Sequence, residues 1–317
     1  MKKLYFAPME GITDAVFRRV HHECFPSVNA YYIPFISPTQ HLSLNGREKR
    51  NVLPEYNRDV PCVPQVLTRD PQHFLWAAQL LADMGYTEVN LNAGCPSGTV
   101  TAKGKGAGML RDAEALARFL DAVCTACPLP ISVKTRIGFE SPEEWETLLS
   151  IYCRYPIQRL IVHPRTNRER YSPGTVHPDC ITAALSMFPG EVVVNGDLFT
   201  PDEVNAASGS SVMLGRGLIA NPALARMALG GEKLTVEELV HYHDALLQGL
   251  SDWYEPNIVF MKLRVIMKHI ACCFDDAASS AKKIRKARNL SALLEADRQL
   301  LQEHTLSPQP CFDPTDP

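Results

Sequence analysis

Apolar and polar positions follow a regular rhythm along roughly the first 230 residues. Eight short runs rich in β-branched and aromatic side chains read as strands: KLYFAPM from Lys3, AYYIPFI from Ala30, CVPQVLT from Cys62, EVNLNAG from Glu88, PISVKTR from Pro130, RLIVHPR from Arg159, EVVVNGD from Glu191 and SVMLGRG from Ser211. Between most of them, segments at 13–24, 70–85, 112–124, 141–153 and 177–188 carry apolar residues three and four apart. Several open on Asp, Ser or Thr, the residues that cap helix N-termini. This alternation predicts an α/β fold, a closed (β/α)8 TIM barrel over residues 1–231, with 36–60 as a longer polar excursion between the second and third strands. After Gly230 and Gly231 only helical periodicity remains, which predicts a small C-terminal all-α helical bundle over 232–305. The last stretch, LSPQPCFDPTDP at 306–317, has too little apolar content to pack and is expected to be a disordered tail.

Composition changes this picture little. At 317 residues, 45% hydrophobic and 21% charged, with a formal charge of −3, the chain has no global basic field, so a polyanion must meet a local patch. No apolar run of about 18 residues is present and the N-terminus shows no h-region, so a cytoplasmic protein without membrane association is expected. Ten cysteines in that setting read as reduced thiols. Cys124 and Cys127 sit at helical spacing before Pro128, and Cys272 and Cys273 lie in an amphipathic helix. His21, His22, His241 and His243 lack a carboxylate or cysteine at metal spacing, and no metal site is expected.

In such a barrel the loops after the strands' C-terminal ends build the active site. Here those ends are polar: Pro8, Met9, Glu10 and Gly11; Gln65; Asn90 and Asn92 with Cys95; Lys134 with Arg136; His163 with Arg165; Asn195, Gly196 and Asp197; and Gly215 with Arg216. The NGD and GRG turns end the seventh and eighth strands, where glycines let backbone N–H groups approach an anion. A short helix beginning near Asn221 and Pro222 is expected to add its positive end. Such a phosphate site suits a phosphosugar or a flavin mononucleotide, and the remaining ends select the flavin. Gln65 can donate and accept at a pyrimidine edge, Lys134 can stabilise charge on a reduced ring, and Pro8 with Met9 offer an apolar wall.

Seven pieces, in order, resemble the tRNA-dihydrouridine synthase family: APMEGITD at 7–14, PQVLT at 64–68, NLNAGCPSGTV at 90–100, VKTRIG at 133–138, VHPRT at 162–166, VNGD at 194–197 and LGRG at 214–217. The helical stretch 232–305 falls where that family keeps its RNA-binding domain. The resemblance implies an FMN-dependent reduction of the 5,6 double bond of a uridine in tRNA, in the D-loop, driven by NADPH or NADH. It implies that Pro8, Met9, Gln65, Lys134, Asn195, Gly196, Asp197, Gly215 and Arg216 bind the flavin with His163 beside them. Cys95 matches the catalytic acid, Asn90 and Asn92 belong to a motif facing the substrate, and Arg136 matches a position that touches RNA; Arg165 is assigned to the same side. Two positions depart from the pattern. Gly98 stands where many members carry lysine, a cation that Lys103 or Lys105 can replace, and Pro164 alters the loop after His163.

Reducing a 5,6 double bond requires a hydride on one carbon and a proton on its neighbour. A thiol, with an unperturbed pKa of about 8.5, is mostly protonated at neutral pH and can serve as that acid, whereas the hydroxyls of Ser97 or Thr99 are far weaker. A uridine stacked in folded tRNA must be extruded to reach such a site. Residues 258–290 hold Lys262, Arg264, Lys268, Lys282, Lys283, Arg285, Lys286 and Arg288 against only Asp275 and Asp276, a local excess of positive charge suited to phosphates. A flavin barrel reductase acting on a free small molecule leaves these basic helices unexplained, and a non-catalytic RNA-binding barrel leaves Cys95 unexplained. A monomer without protein partners is expected.

Overall fold

The computed structural model describes residues 2–312. Eight parallel strands close into a barrel in sequence order: β1 (Lys3–Phe6), β2 (Ala30–Ile36), β3 (Cys62–Val66), β4 (Val89–Ala93), β5 (Ile131–Gly138), β6 (Ile157–Thr166), β7 (Glu191–Asn195) and β8 (Ser211–Leu214), with β8 pairing back to β1. Each coincides with a predicted run, although β5 continues two residues past its run and β6 extends beyond both ends of its own. The helices between them begin where the sequence supplies caps: Asp14, Asp70 and Asp112 accept from the backbone N–H groups of Phe17, Gln72 and Ala115. The excursion at 36–60 carries a short helix, Gly46–Val52, closed by a capping box between Asn45 and Glu48.

Side chains on each strand alternate between two environments. On β6, Leu160 and Val162 join the large core between barrel and helices, whereas Ile161 joins a separate inner cluster with Tyr5, Ala7, Tyr32, Val63, Val193 and Met213. The inward series is stratified. At its base Arg159 donates to Glu88 at 2.6 Å and to Glu191 at 2.9 Å, while Tyr5 and Ser211 donate to Glu191 at 3.0 and 2.5 Å. The apolar inner cluster forms the middle layer. Above it the inward positions turn polar again, and there the cavity opens.

Pro164, inside β6, has no N–H to give the sheet, and the pairing of β5 with β6 slips between His163 and Thr166.

The C-terminal helices, Val236–Ser251, Pro256–Ile270, Ala278–Lys286 and Leu290–Glu303, share the large core with the barrel. The first lies close against the helix Ala15–Cys24: a Cβ on Gly249 would come within 3.0 Å of a Val16 methyl. The Asp14 carboxylate, besides capping its own helix, accepts from Tyr254 at 3.0 Å and pairs with Lys262 at 2.7 Å. The change in secondary structure near residue 231 is therefore not a break in packing.

The expected tail is corrected as far as Phe312. Ser307 N–H donates to the Cys273 carbonyl at 2.9 Å, Leu306 bridges Phe274, and Phe312 is buried. The few apolar side chains each find a place, and Pro308 and Pro310 bring no N–H that needs a partner. Residues 313–317 of that expectation lie outside the described residues. Among the described residues no helix is long and apolar enough to cross a membrane.

The buried cation at the base holds two carboxylates together. Replacing Arg159 by Met is expected to destabilise the fold by about 3–5 kcal/mol, because the buried Glu88 then loses its counter-charge and the half-buried Glu191 keeps only Lys3, at 3.7 Å. Urea midpoints of wild type and variant measure this, and adding Glu88→Gln to the variant should recover part of the loss.

Candidate active site

The C-terminal ends of β1 and β4–β8 surround a cavity of about 260 Å³. Pro8, Met9 and Glu10 border it after β1, Asn92 on β4 with Gly94 and Cys95 after it, and Lys134 with Arg136 on β5. His163 borders it from β6, Asn195 ends β7 and Gly196 to Phe199 follow it, and Gly215 with Arg216 follow β8. Of the expected cofactor residues, every one except Gln65 lies in this lining.

The turns after β7 and β8 form one corner. Gly196 has φ +118°, and a Cβ there would lie 3.3 Å from the His163 ring, so glycine lets the backbone pass close beneath the imidazole. Asp197, itself at φ 43°, pairs with Arg216 at 2.9 Å and with Arg165. A short helix does follow Asn221 and Pro222, over Leu224–Ala228, but the helix that begins at the corner is an earlier one, Arg216–Ala220, which starts directly after Gly215. Asn221 instead ends that helix, and its side chain accepts from Ala223 N–H at 3.1 Å. Arg165 is also corrected. It is fully buried, bonded to Thr175 at 2.9 Å and to Asp197, so it braces the corner and does not face RNA.

Inward-facing amides make a relay across neighbouring strands. Asn90 donates to Ser132 at 2.8 Å and accepts from Gln65 at 2.7 Å; Gln65 in turn accepts from Asn92 at 2.8 Å. Gln65 and Asn90 are buried in this relay and do not line the cavity, which corrects their direct roles at a ligand or substrate. Asn92 does line it, and its carbonyl oxygen accepts from the N–H groups of Gly94 at 3.1 Å and Cys95 at 2.9 Å. The relay thus sets the start of the loop that carries the thiol.

That loop is more compact than its glycines suggest. It folds into the turns Gly98–Thr101 and Gly106–Arg111, and Ala107 N–H donates to the Cys95 carbonyl at 3.1 Å. Gly106, at φ +58°, sits where a Cβ would be 2.9 Å from the Cys95 carbonyl oxygen. Lys105 reaches Ser37 at 3.1 Å, and neither it, Lys103 nor Gly98 lines the cavity.

Positive charge dominates the lining. Lys134 donates to Asn195 at 2.8 Å, and burial, then the neighbouring Arg136, lowers its pKa from 10.5 to about 7. Burial, then Arg136, Lys134, Arg165 and Arg216, holds His163 well below the usual histidine range, so it is neutral, with Nδ1 buried and unpartnered. Arg136 donates to the carbonyls of Gly94, Thr166 and Arg170 at 3.0, 2.9 and 2.7 Å. It borders the cavity, but three main-chain acceptors already hold it.

The sequence reading passed over Tyr171, which stands on the long loop after β6. Its ring meets His163 edge-on at 5.8 Å and lies under the guanidinium groups of Arg136 and Arg216 at 5.0 and 5.2 Å. The only signal was an aromatic residue amid the polar run NRERYSPG at 167–174. Glu10, paired with Arg47 from the excursion at 36–60, was seen at its strand end but given no role.

Away from the cavity, Lys282, Lys283, Lys286 and Arg288 line one surface groove together with Asn289 and Gln299. Lys262 does not join them: it is tied to Asp14 and to the Gly11 carbonyl. Arg264 stacks on Phe260 at 4.9 Å.

Lys134 titrates lower in the folded protein than in the unfolded chain. Between about pH 7 and about pH 10 the unfolded chain binds more protons, so stability rises with pH across that window. For ligand-free protein the urea midpoint should climb from about pH 7.5 to about pH 9.5 more steeply in wild type than in Lys134→Met. Parallel slopes would remove Lys134 as the cause.

The family described as "Dihydrouridine synthase (Dus)" matches residues 5–308. A Staphylococcus epidermidis protein named "Probable tRNA-dihydrouridine synthase" is 32% identical over 228 residues, 68% of this chain and 68% of its own length. The "tRNA-dihydrouridine synthase B" of Pseudomonas aeruginosa is 28% identical over 278 residues, 84% of this chain and 82% of its own. Among solved structures, DHODH from Eimeria tenella in complex with ferulenol has a TM-score of 0.52 at 12% identity, covering 76% of this chain and 81% of that one, a likeness of fold. The chain belongs to the dihydrouridine synthase family of tRNA-modifying oxidoreductases.

Proposed function

We propose that the protein binds FMN in the barrel cavity and uses it, with NADPH as reductant, to reduce the 5,6 double bond of a D-loop uridine in tRNA. The observation that carries this reading is that the Cys95 thiol and the cation-rich corner border one and the same cavity. The chain's own groups suit the cofactor. Lys134, Arg136 and Arg216 outnumber Asp197 and Glu10 in the lining, which favours an anion there. The Gly196 and Gly215 turns keep side chains out of the corner, and the orphaned His163 Nδ1 is a buried group that a ligand can satisfy.

On this reading Asn195, Gly196, Asp197, Gly215 and Arg216 would hold the phosphate, Pro8 and Met9 would give the ring an apolar wall, and Lys134 would stabilise charge on the reduced ring. The bound flavin, once reduced, supplies the hydride. Cys95 holds the proton that the neighbouring carbon of the pyrimidine needs, at a sulfur whose position is set by Asn92 through the two N–H groups it accepts. Gln65 and Asn90 act one step behind, by orienting Asn92. The base reaches this cavity only if extruded from the tRNA, and the groove of Lys282, Lys283, Lys286 and Arg288 is where phosphate contacts can repay that cost. A tRNA substrate makes the cytoplasm the working compartment, and a single chain contains every group invoked.

Two experiments test the parts separately. In single-turnover reactions of the reduced, FMN-loaded enzyme with unmodified tRNA, Cys95→Ala is expected to slow flavin oxidation by about 10²- to 10⁴-fold, and a wild-type rate would discard Cys95 as the acid. Reversing Lys282, Lys283 and Lys286 to Glu should weaken tRNA binding in gel shifts and flatten its salt dependence by about 3 in slope. NADPH-dependent flavin reduction should be unchanged in that triple variant. Equal loss of both would point to misfolding and against the groove.

A further inference from the structure

The anion corner is backed by the far end of the chain. Phe312 is buried between Phe199, whose ring centroid is 5.2 Å away, and His269, stacked at 5.3 Å. The Arg216 guanidinium lies 5.0 Å from the Phe312 centroid and 5.5 Å from that of Phe199. Two residues earlier, the Pro310 carbonyl accepts from the buried Asn221 amide at 3.1 Å, at the end of the helix that Arg216 begins. Cys273 adds a second tie, its thiol reaching the carbonyls of Ala220 at 3.3 Å and Cys311 at 3.8 Å. The segment is therefore zipped to the connection after helix Pro256–Ile270 and closes on the short helix of the barrel's eighth unit.

We propose that Leu306–Phe312 is a positioning element of the anion corner, with Phe312 holding the Arg216 guanidinium in the orientation that grips a phosphate in the cavity. An arginine has many rotamers and binds an oxyanion well only when its planar fork is held ready. Asp197 fixes one edge of the Arg216 fork at 2.9 Å, and the rings of Tyr171, Phe199 and Phe312 restrict its plane. Phe312 is the member supplied from outside the barrel, so the C-terminal end of the chain sets how tightly the corner holds its ligand. The inference rests on the reading that FMN occupies the cavity.

The test compares FMN with riboflavin, which lacks the phosphate, on the full chain carrying Phe312→Ala, Phe312→Leu or Phe312→Tyr. Dissociation constants come from flavin fluorescence, and thermal midpoints of the flavin-free proteins report folding. Phe312→Ala and Phe312→Leu are expected to weaken FMN binding about 3- to 30-fold while leaving riboflavin affinity unchanged. Phe312→Tyr, which keeps the ring, should restore wild-type affinity. Phe312→Leu keeps apolar bulk, so its thermal midpoint should stay near wild type and its result decides if Phe312→Ala proves unstable. Equal loss of both ligands, or no loss of FMN binding, would overturn the proposal. A wild-type protein that binds neither ligand refutes the flavin reading itself, and the positioning role falls with it.

Discussion

Inside a closed eight-stranded barrel only every second residue can face the axis, and the groups that matter here sit on that register. Glu88, Asn90 and Asn92 share one parity on the approach to and along β4, as do Arg159, Ile161 and His163 on β6 and Glu191, Val193 and Asn195 around β7. One period of two thus builds three layers: an ion-paired base, an apolar middle and a polar mouth. A one-residue slip of any strand would swap a cavity side chain for one meant for the surrounding helices. The buried pairing of Arg159 with Glu88 and Glu191 matters in that light, because a slip would separate these charges and leave them without their partners.

The mouth combines two electrostatic regimes. Around the β7 and β8 turns, arginines are neutralised in part by Asp197 and held by aromatic rings, so their charge is fixed and oriented. On β5, Lys134 donates to the neutral Asn195 amide and feels the like charge of Arg136, and its own charge responds to whatever enters the cavity. An anion near Lys134 favours the protonated form, which makes the lysine part of the response to binding.

Much of this was legible in the sequence, for identifiable reasons. Parallel strands buried on both faces leave unbroken apolar runs, and Asp14, Asp70 and Asp112 mark helix starts by a local rule. The strand-end residues were legible as a set because chain direction alone decides which end carries the loops. What the sequence could not convey was depth and saturation. Gln65, Asn90 and Arg165 have the chemistry of site residues, yet each is buried and hydrogen-bonded to neighbours, a fact that depends on segments far apart in the chain. Tyr171 escaped because no periodicity governs the loop that carries it. Phe312 escaped because a lone aromatic among prolines gives no local sign of the Phe199 and His269 rings that receive it.

Asp14 makes the two halves of the molecule share a part. Its carboxylate ends one helix of the barrel and receives Tyr254 and Lys262 from the C-terminal helices, while Gly249 lets the backbones meet at Val16. The C-terminal helices are therefore not an interchangeable module. Their placement is written into the first helix of the barrel, and transplanting them to another barrel of this family would require bringing a matching Asp14 and Val16 as well, much as a lock is moved only with its strike plate.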